Sequence, residues 1–279
     1  MCLKKYEKLC ETIRRSGKVC VSFSGGVDSS FLAYTCRKVL GKKNMLCVYV
    51  RGAAASEKQT SNVSATAEKY DFPLEIINVN ELEVEQVRRG DPRRCYFCKK
   101  NIISLISRKA EEKGFNIIAC GSNLDDLSDY RPGRDAVKEM GVSEPLLEAK
   151  LTKDEIRYLS RKFGLDTADM PSEPCLLSRI PYNRPADRRM LTQVEEAEKV
   201  LADFGFDVCR VRHYGITAKI EIPPEKFEQY KKCEQHIKEK ILNAGFSEVV
   251  LDENGFRSGS LNDSLRFKHK QNHEKMKNS

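Results

Sequence analysis

Short apolar runs alternate with amphipathic segments over the first 121 residues of the chain. The runs are rich in β-branched residues and have the length of a buried strand, whereas the segments between them repeat apolar positions at helical spacing. Strands are predicted at 18–23, 44–50, 74–79 and 116–121, and helices at 29–40, 56–70 and 97–113. Because parallel strands need crossover connections, this alternation predicts an α/β fold, a parallel sheet with helices on both faces.

The pattern changes after residue 121. Residues 123–140 are polar and predict a loop over the carboxyl edge of the sheet, and 171–185 form an aperiodic loop rich in Pro and Ser. Helices at 152–163, 187–204 and 224–244 and strands at 207–212, 216–222 and 248–252 predict a smaller α+β domain. The predicted organisation is a first domain at 1–150, a linker with the Cys175 loop at 151–185, a second domain at 186–265 and a disordered basic tail at 266–279.

Composition excludes several classes of protein. The 279 residues are 40% hydrophobic and 32% charged, which is typical of globular chains rather than collagen-like or low-complexity ones. The longest apolar runs are far shorter than the ~20 residues that span a bilayer, and 1–15 lacks the apolar centre of a signal peptide. We therefore expect a cytoplasmic protein with no membrane partner.

The net charge of +8 is unevenly distributed. The tail at 266–279 contributes four of these charges, which is typical of a solvated chain end. Six further basic residues lie within 86–100, against the single acidic Asp91: Arg88, Arg89, Arg93, Arg94, Lys99 and Lys100. An anionic ligand would be drawn to this second cluster.

A loop with two glycines joins the first predicted strand to the first predicted helix. Its sequence is Ser24-Gly25-Gly26-Val27-Asp28-Ser29. The glycines let the backbone turn tightly, and the N–H groups at the helix start then face an anion. The hydroxyls of Ser24 and Ser29 can donate to phosphate oxygens, and Asp28 can hold Mg²⁺ or orient the turn. The lysine of a Walker A loop is absent, so the pattern indicates a different kind of phosphate site.

Eleven cysteines are many for a reducing compartment, where disulfides do not persist. Four lie among apolar neighbours and are predicted to fill the core: Cys20, Cys36, Cys47 and Cys120. Cys95 and Cys98 form a Cys-X-X-Cys pair at a predicted helix start, which suits a dithiol redox pair, half of a zinc site or two ligands of an iron–sulfur cluster. Cys175 lies in the aperiodic loop, where no packing pattern explains it. Three thiolates on a 4Fe–4S cluster would leave one iron open.

The glycine loop resembles the SGGxDS signature of the PP-loop ATP pyrophosphatases, also called adenine nucleotide α-hydrolases. The resemblance implies a Rossmann-like domain that splits ATP into AMP and pyrophosphate and activates a substrate oxygen as an adenylate. The loop would hold the leaving pyrophosphate, and Mg²⁺ would neutralise its charge. The implied ATP-binding residues are Ser22, Phe23, Ser24, Gly25, Gly26, Asp28, Ser29, Arg51, Asp129 and Arg131.

Four further motifs resemble the LarE family, ATP-dependent sulfur transferases that make the nickel-pincer nucleotide of lactate racemase. They are DYRPG at 129–133, SRIPY at 178–182 after Cys175, RVR at 210–212 and GFRSG at 255–259. The resemblance covers residues 5–265. It implies adenylation of a carboxylate of pyridinium-3,5-biscarboxylic acid mononucleotide, followed by sulfur entry to give a thiocarboxylate. Two rounds would give the bis-thiocarboxylate.

The same resemblance assigns the substrate-binding residues. Arg210 and Arg212 alternate along a predicted strand, so both point to one face, and the family binds the substrate's phosphate with arginines at these positions. Arg179 and Glu198 match further substrate positions. A homo-oligomer such as a hexamer is also implied.

Cys175 matches the family's catalytic sulfur position. In one form of the family this cysteine gives up its own sulfur, and in the other an added Cys-X-X-Cys pair goes with a 4Fe–4S cluster that carries an extra sulfide. The chain has the second pattern, so the resemblance implies Cys95, Cys98 and Cys175 as cluster ligands, supplied by sulfide or a sulfur donor. The sequence leaves open whether these three cysteines meet, and the sacrificial Cys175 remains the alternative.

Two other functions compete with a LarE-like sulfur transferase. A tRNA thiolase of the PP-loop, iron–sulfur type also combines this loop with Cys-X-X-Cys and would suit the positive charge. However, we find no recognisable appended RNA-binding module, and DYRPG and RVR favour the LarE pattern, so nucleic acid is not expected as a partner. A zinc- or cluster-binding regulator with a decayed nucleotide site is disfavoured by the intact glycine loop.

Overall fold

The computed structural model describes residues 2–127, 132–171, 174–257 and 261. The chain divides into two compact units. The first consists of Met1–Val87 and Arg93–Pro174, and the second of Arg88–Pro92 and Cys175–Ser279. A segment of five residues in the first half of the chain therefore belongs to the second unit, and the chain passes between the units three times.

The first unit is built on a four-stranded parallel sheet, as the sequence predicts. Its strands are β1 (Val19–Ser22), β2 (Met45–Arg51), β3 (Leu74–Asn78) and β4 (Ile118–Ala119). They lie in the order β3-β2-β1-β4, and every neighbouring pair is parallel. The chain adds β2 and β3 on one side of β1 and β4 on the other. In open α/β sheets, ligands bind at the carboxyl ends of the strands where the order reverses in this way.

Helices flank this sheet, and two of them begin at the predicted caps. They are α1 (Cys2–Ser16), α2 (Val27–Leu40), α3 (Glu57–Lys69), α4 (Glu85–Arg88), α5 (Arg94–Glu112), α6 (Gly133–Glu139), α7 (Pro145–Glu148) and α8 (Lys153–Lys162). Ser56 accepts the N–H of Gln59, and Thr152 and Glu155 form a capping box, so N–H groups at both helix starts are satisfied. Within the described ranges, none of the helices has both the length and the apolar character needed to cross a membrane.

The second unit is a smaller α+β arrangement. Its described elements are α9 (Arg188–Asp203), β5 (Arg210–Tyr214), β6 (Thr217–Glu221), α10 (Phe227–Asn243) and β7 (Glu248–Leu251). β6 lies between β5, to which it is antiparallel, and β7, to which it is parallel. Val211 and Ile220 are fully buried with apolar residues of α9 and α10. Because side chains alternate along a strand, Arg210, Arg212, Lys219 and Glu221 lie on the opposite face of the sheet.

Residues 151–174 pack in the first unit, although the sequence suggests a linker from 151. Leu151, Ile156 and Leu159 are completely buried in the core cluster that also contains β1 and α2. The amphipathic face of α8 therefore completes the first unit, and the second unit resumes at Cys175.

Two elements differ from the predicted boundaries. α5 begins at Arg94, three residues before the predicted start, so both thiols of the Cys-X-X-Cys pair lie inside the helix. α6 lies within 123–140, which the sequence predicts to be a loop. α6 buries only Ala136 and Val137 of its own residues. So short an apolar stretch gives no helical periodicity within a polar segment, and the sequence therefore does not predict this helix.

The segment Arg88–Pro92 is held in the second unit by backbone hydrogen bonds. The N–H of Asn183 donates to the carbonyl of Gly90 at 2.7 Å, and the N–H of Ala186 donates to that of Arg88 at 2.7 Å. Gly90 has a φ of +72°, and a Cβ there would lie 2.3 Å from the carbonyl oxygen of Arg184. The close approach of the two backbones therefore requires glycine.

Candidate active site

The glycine loop turns between β1 and α2 at the carboxyl edge of the sheet. Gly25 has a φ of +74°, and a Cβ there would lie 2.8 Å from Cγ2 of Val63 on α3, so only glycine fits. Ser29 Oγ donates to the carbonyl of Gly26 at 3.1 Å. It also lies 3.1 Å from Ser24 Oγ. The two hydroxyls therefore brace a loop that leads into α2, whose N-cap is Gly26 and whose first N–H groups are available to an anion.

Asp28 joins three segments of the first unit beside this loop. Its Oδ2 lies 2.5 Å from Nζ of Lys153, the first residue of α8, and its Oδ1 accepts from Nδ2 of Asn123 at 3.3 Å. The N–H of Lys153 donates to Asp125 Oδ2 at 2.7 Å. An ammonium group thus stands next to the phosphate loop, although the chain has no Walker A lysine.

The predicted adenosine-binding residues lie at the ends of β1 and β2. The side chain of Phe23 is 2% exposed and meets Phe72 edge-on, with ring centroids 6.0 Å apart, so it fills the core. Ser22 is half-buried, and the exposed Arg51 donates from Nε to Asn78 Oδ1 at 2.8 Å. Asp129 and Arg131 lie outside the described residues.

A buried carboxylate lies behind the loop that follows β2. Glu81 is 6% exposed, and the N–H of Ala54 lies 3.4 Å from its Oε2. A Cβ on Gly52 would lie 1.6 Å from Oε1 of Glu81, so the absent side chain of Gly52 provides the space for the carboxylate. Glu81 thereby fixes the backbone at the end of β2.

The Cys-X-X-Cys pair lies in the first turn of α5, which contains no acidic residue. Cys95 is exposed and Cys98 half-buried, one helical turn apart. α6 holds this turn in place: Tyr96 Oη and Lys100 Nζ each lie 2.5 Å from a carboxylate oxygen of Glu139. The basic cluster predicted at 86–100 is therefore partly neutralised, since Lys100 is paired with Glu139.

In the second unit, an ion pair anchors the turn that follows Cys175. Cys175 is exposed, and Leu176–Arg179 form a 3₁₀ turn. Arg179 Nη1 donates to the carbonyl of Cys175 at 3.2 Å, and Nε and Nη2 each donate to a carboxylate oxygen of Glu198 at 2.8 Å. Glu198 Oε1 also accepts the N–H of Val211 at 3.0 Å, so α9 and β5 together hold the Cys175 turn.

A second, buried ion pair holds the same turn from the sheet. Arg212 donates from Nε and Nη2 to Glu221 at 2.9 and 2.8 Å, and its Nη1 donates to the carbonyl of Ser178 at 2.8 Å. Arg212 is 7% and Glu221 is 4% exposed. Arg210 is half-buried on the same face, and burial, together with the nearby Arg179, lowers its pKa. All four predicted substrate-binding residues therefore lie around the Cys175 turn.

Four other cysteines differ in burial from the three candidate ligands, Cys95, Cys98 and Cys175. Cys20, Cys36, Cys47 and Cys120 are buried, as predicted, and burial raises the pKa of Cys20 and Cys36 to about 12. Cys95 and Cys98 lie in the first unit and Cys175 in the second. Within the described ranges, no three His, Cys, Asp or Glu side chains are grouped so that they could hold a metal ion.

Sequence reasoning passed over three site residues. Lys153 carries a signal, because a cation in the first turn of a helix opposes the helix dipole and so indicates another role. Glu221 carries a weaker one, since the hairpin register places it opposite Arg210. Glu81 carries none, because its burial depends on the path of the loop after β2.

Comparison with known proteins gives one family match and several relatives of similar length. Residues 4–107 match the NAD synthase family. An uncharacterised protein of Synechocystis is 34% identical over 260 residues, which are 92% of this chain and 97% of that protein. Pyridinium-3,5-bisthiocarboxylic acid mononucleotide synthase of Lactiplantibacillus plantarum is 29% identical over 261 residues, 94% of this chain and 95% of that enzyme.

A more distant relative acts on RNA. The tRNA-5-methyluridine(54) 2-sulfurtransferase of Pyrococcus horikoshii is 28% identical over 246 residues, 79% of this chain and 74% of that protein. The relatives from Synechocystis and Lactiplantibacillus, in contrast, match nearly the whole chain. Residues 4–107 thus carry a PP-loop domain of the NAD synthase type, and nearly the whole chain is similar to the LarE-type synthase of Lactiplantibacillus.

Proposed function

We propose that this chain is an ATP-dependent sulfur transferase that acts on pyridinium-3,5-biscarboxylic acid mononucleotide in the synthesis of the nickel-pincer nucleotide. A substrate carboxylate oxygen attacks the α-phosphorus of ATP, pyrophosphate leaves, and a sulfur nucleophile then displaces AMP from the acyl carbon to leave a thiocarboxylate. The observation that carries the proposal is the Cys175 turn held among Arg179, Glu198 and Arg212, in a chain that matches the Lactiplantibacillus synthase over 94% of its length.

The glycine loop serves the first half of this reaction. Its N–H groups receive the phosphates of ATP, and Lys153 adds a positive charge beside them. The carboxylate of Asp28 is the type of oxygen donor that Mg²⁺ prefers, so this residue would hold the ion that neutralises the leaving pyrophosphate. Ser22 and Arg51 flank the nucleoside at the ends of β1 and β2, and Asp129 and Arg131 complete the assigned ATP site.

The second unit binds the substrate. Arg210 and Arg212 lie on one face of the sheet, and two guanidinium groups suit the phosphate of a mononucleotide. Arg179 and Glu198 hold the turn that carries Cys175 and so set where its sulfur stands. We further propose that the active protein is a homo-oligomer.

Sulfur delivery is assigned to Cys95, Cys98 and Cys175, as ligands of a 4Fe–4S cluster. The fit rests on the donors: two thiols one turn apart at the N-terminal end of α5, where the helix dipole favours anionic ligands, and an exposed third thiol. A bound cluster would supply an iron without a protein ligand, to which sulfide can bind. Arg179 and Glu198 fix the backbone of Cys175, and α6 fixes the turn of Cys95.

Anaerobic turnover tests the proposal. The protein is supplied with ATP, Mg²⁺, sulfide and the pyridinium dicarboxylate mononucleotide, and AMP, pyrophosphate and the mass of the pyridinium product are measured. We expect equal release of AMP and pyrophosphate and a product in which sulfur replaces oxygen. No pyrophosphate with this substrate would show that the proposed function is wrong.

Iron analysis of the same samples tests the cluster. We expect iron and sulfide in the wild type, their loss in Cys95→Ala, and their retention in the control Cys233→Ala, which removes a half-buried thiol of α10. Iron-free protein that loses one H₂S from Cys175 during turnover would instead support the sacrificial alternative.

The relative from Pyrococcus gives a second candidate function, sulfur transfer to tRNA. The net charge of +8 is compatible with it. Replacing the pyridinium substrate by bulk tRNA in the same assay distinguishes the two. Binding of tRNA that weakens steeply with salt, together with tRNA-dependent pyrophosphate release, would favour the thiolase.

A further inference from the structure

The GFRSG motif at 255–259 has no role in the proposed function so far. Its first two residues lie in a tight turn after β7. The N–H of Gly255 donates to the carbonyl of Asp252 at 2.9 Å, and the N–H of Phe256 donates to that of Ile222 at 2.9 Å. Gly255 has a φ of +65°, and a Cβ there would lie 2.9 Å from the carbonyl oxygen of Ile222. The turn therefore requires glycine, and it fixes the direction in which Phe256 leaves the backbone.

The ring of Phe256 meets a residue of the assigned phosphate site. Cζ of Arg210 lies 5.4 Å from the centroid of the ring, within the range of a cation–π contact. Arg210 Nη1 also donates to the carbonyl of Cys209 at 2.6 Å. The side chain of Arg210 is thus held at both a backbone carbonyl and an aromatic face.

Arg179 and Arg212 are each held by a carboxylate, which accepts two of the guanidinium's hydrogen bonds and offsets its charge. An aromatic face restrains the guanidinium plane without accepting its N–H groups and without adding negative charge. The contact with Phe256 therefore orients the Arg210 guanidinium group without itself occupying any of its N–H groups.

We propose that Phe256 is a positioning residue that holds the Arg210 guanidinium in the orientation in which it binds the substrate's phosphate. The inference rests on the proposed function, because that function assigns the phosphate to Arg210 and Arg212. Burial and the guanidinium group of Arg179 lower the pKa of Arg210, and the carboxylate of Glu198 acts in the opposite direction. The ring of Phe256 restrains the orientation of this guanidinium group.

The test compares ligands with and without the phosphate. Calorimetry measures the Kd of the full chain for the pyridinium dicarboxylate mononucleotide and for its nucleoside. We expect Phe256→Leu to raise the Kd of the mononucleotide by roughly 2- to 30-fold and to leave that of the nucleoside unchanged. Phe256→Tyr, which keeps the ring, should restore wild-type binding. In turnover, KM for the mononucleotide should rise while kcat and KM for ATP stay at wild-type values.

A matched control comes from the same unit. The ring of Phe204 also faces a cation, with Lys240 Nζ at 5.8 Å from its centroid, but Lys240 is not in the assigned site. Phe204→Leu should therefore leave both Kd values unchanged. Circular dichroism and thermal unfolding check that each variant is folded.

Three outcomes count against these assignments, and they can be told apart. If Arg210→Gln weakens binding of the mononucleotide but Phe256→Leu does not, the role of Phe256 is wrong and the phosphate site stands. Equal weakening of both ligands by Phe256→Leu would mean that the ring only supports the fold. If the wild type does not bind the mononucleotide, or Arg210→Gln leaves binding unchanged, the proposed function itself fails and the role of Phe256 with it.

Discussion

At the scale of single residues, burial separates the ion pairs that matter from those that do not. Arg212 and Glu221 are both nearly inaccessible and share two hydrogen bonds. Lys231 and Glu228 on α10 have side chains that are 63% and 80% exposed. Removing one partner of a buried pair leaves a charge without water or counter-charge, whereas an exposed pair is replaced by solvent.

Glu221→Gln should therefore destabilise the protein strongly. We expect the free energy of unfolding to fall by about 3–5 kcal/mol, because Arg212 stays buried with its charge uncompensated. Urea unfolding measures the change, and Glu228→Gln is the control that should leave the midpoint where it is. A midpoint for Glu221→Gln equal to that of the control would show that Arg212 finds another counter-charge.

Lys153→Met should impair ATP chemistry without unfolding the protein. The substitution removes the ammonium beside the phosphate loop and leaves Asp28 without its cation. We expect kcat/KM for ATP-dependent pyrophosphate release to fall by about 10- to 100-fold, the size of a lost charge-assisted hydrogen bond. Lys162→Met, at the exposed far end of α8, should retain wild-type rates. Unchanged kcat/KM in Lys153→Met would remove this lysine from the site.

The sequence predicts a residue when a local motif carries its chemistry. The glycine loop and the cysteine pair are readable because spacing alone places their groups on one turn. Their partners are harder to predict, since Lys153 reaches Asp28 across 125 positions of sequence. Only the tertiary path of the chain brings such residues together.

At the scale of elements, the phosphate loop depends on a packing contact as well as on backbone freedom. Gly25 and Gly41 have nearly the same φ, +74° and +76°. A Cβ at Gly41 would meet nothing within 4 Å, whereas one at Gly25 would press on Val63 of α3. The two glycines therefore allow backbone strain to be separated from steric exclusion.

Gly25→Ala should cost more stability than Gly41→Ala. Both variants force a side chain into a backbone with positive φ, at a cost of about 1–3 kcal/mol, and only Gly25→Ala must also displace α3 or the loop. If the loop shifts, its N–H groups no longer point at the phosphates of ATP. Pyrophosphate release should therefore fall about tenfold or more in Gly25→Ala alone. Thermal unfolding and turnover measure the two effects. Equal behaviour of the two variants would contradict the contact with Val63.

Strand β5 contributes a buried histidine to the apolar side of its sheet. The N–H of Gly215 donates to Nδ1 of His213 at 3.3 Å, so the ring proton lies on Nε2, which faces Gln193 Oε1 at 3.1 Å. This is the neutral tautomer. Burial lowers the pKa of His213, against an opposing effect of Asp187.

The stability of the protein should consequently fall in mild acid. Below the usual histidine pKa of about 6.5, the unfolded chain takes up a proton that the folded chain resists, so the free energy of unfolding decreases as the pH falls. Urea midpoints between pH 7.5 and 5.5 should show a smaller decrease for His213→Gln than for the wild type. The control is His236→Gln, which replaces an exposed histidine of α10. Its urea midpoint should change with pH as that of the wild type does. Identical slopes in all three proteins would mean that His213 is not the responsible group.

Periodicity predicts elements well where an apolar stripe is long. The strands of both sheets and the longer helices appear near their predicted positions, and the α/β class is confirmed. α6 escapes prediction because it buries little, and α8 is placed in a linker because periodicity says nothing about which neighbour a helix packs against. Its buried Leu159 could be predicted, but the unit to which it belongs could not.

At the scale of the whole molecule, the eleven cysteines differ widely in burial. A thiol with a pKa of about 12, as at Cys20, Cys36 and Cys209, has about one part in ten thousand as thiolate at pH 8. Cys95 and Cys175 are exposed. The two thiols classed as exposed therefore both lie at the sites assigned to sulfur transfer, whereas Cys2, Cys10, Cys98 and Cys233 are half-buried.

Iodoacetamide at pH 8 should alkylate the exposed thiols before the buried ones. In protein freed of metal by a chelator, we expect Cys95 and Cys175 to be alkylated first, and Cys20, Cys36 and Cys209 only after addition of urea. Peptide mass spectrometry gives the rate at each site. Early labelling of a core cysteine would show that the unit containing it opens readily, which is the first unit for Cys20 and Cys36 and the second for Cys209.

The segment Arg88–Pro92 has a consequence for how the chain matures. The carbonyl groups of Arg88 and Gly90 find their donors at Ala186 and Asn183, almost a hundred positions later. During synthesis this stretch must wait for the second unit to emerge, and a fragment that stops at Pro174 never completes it. The two units are thus interleaved along the sequence, so neither can be excised, exchanged or duplicated by a single cut.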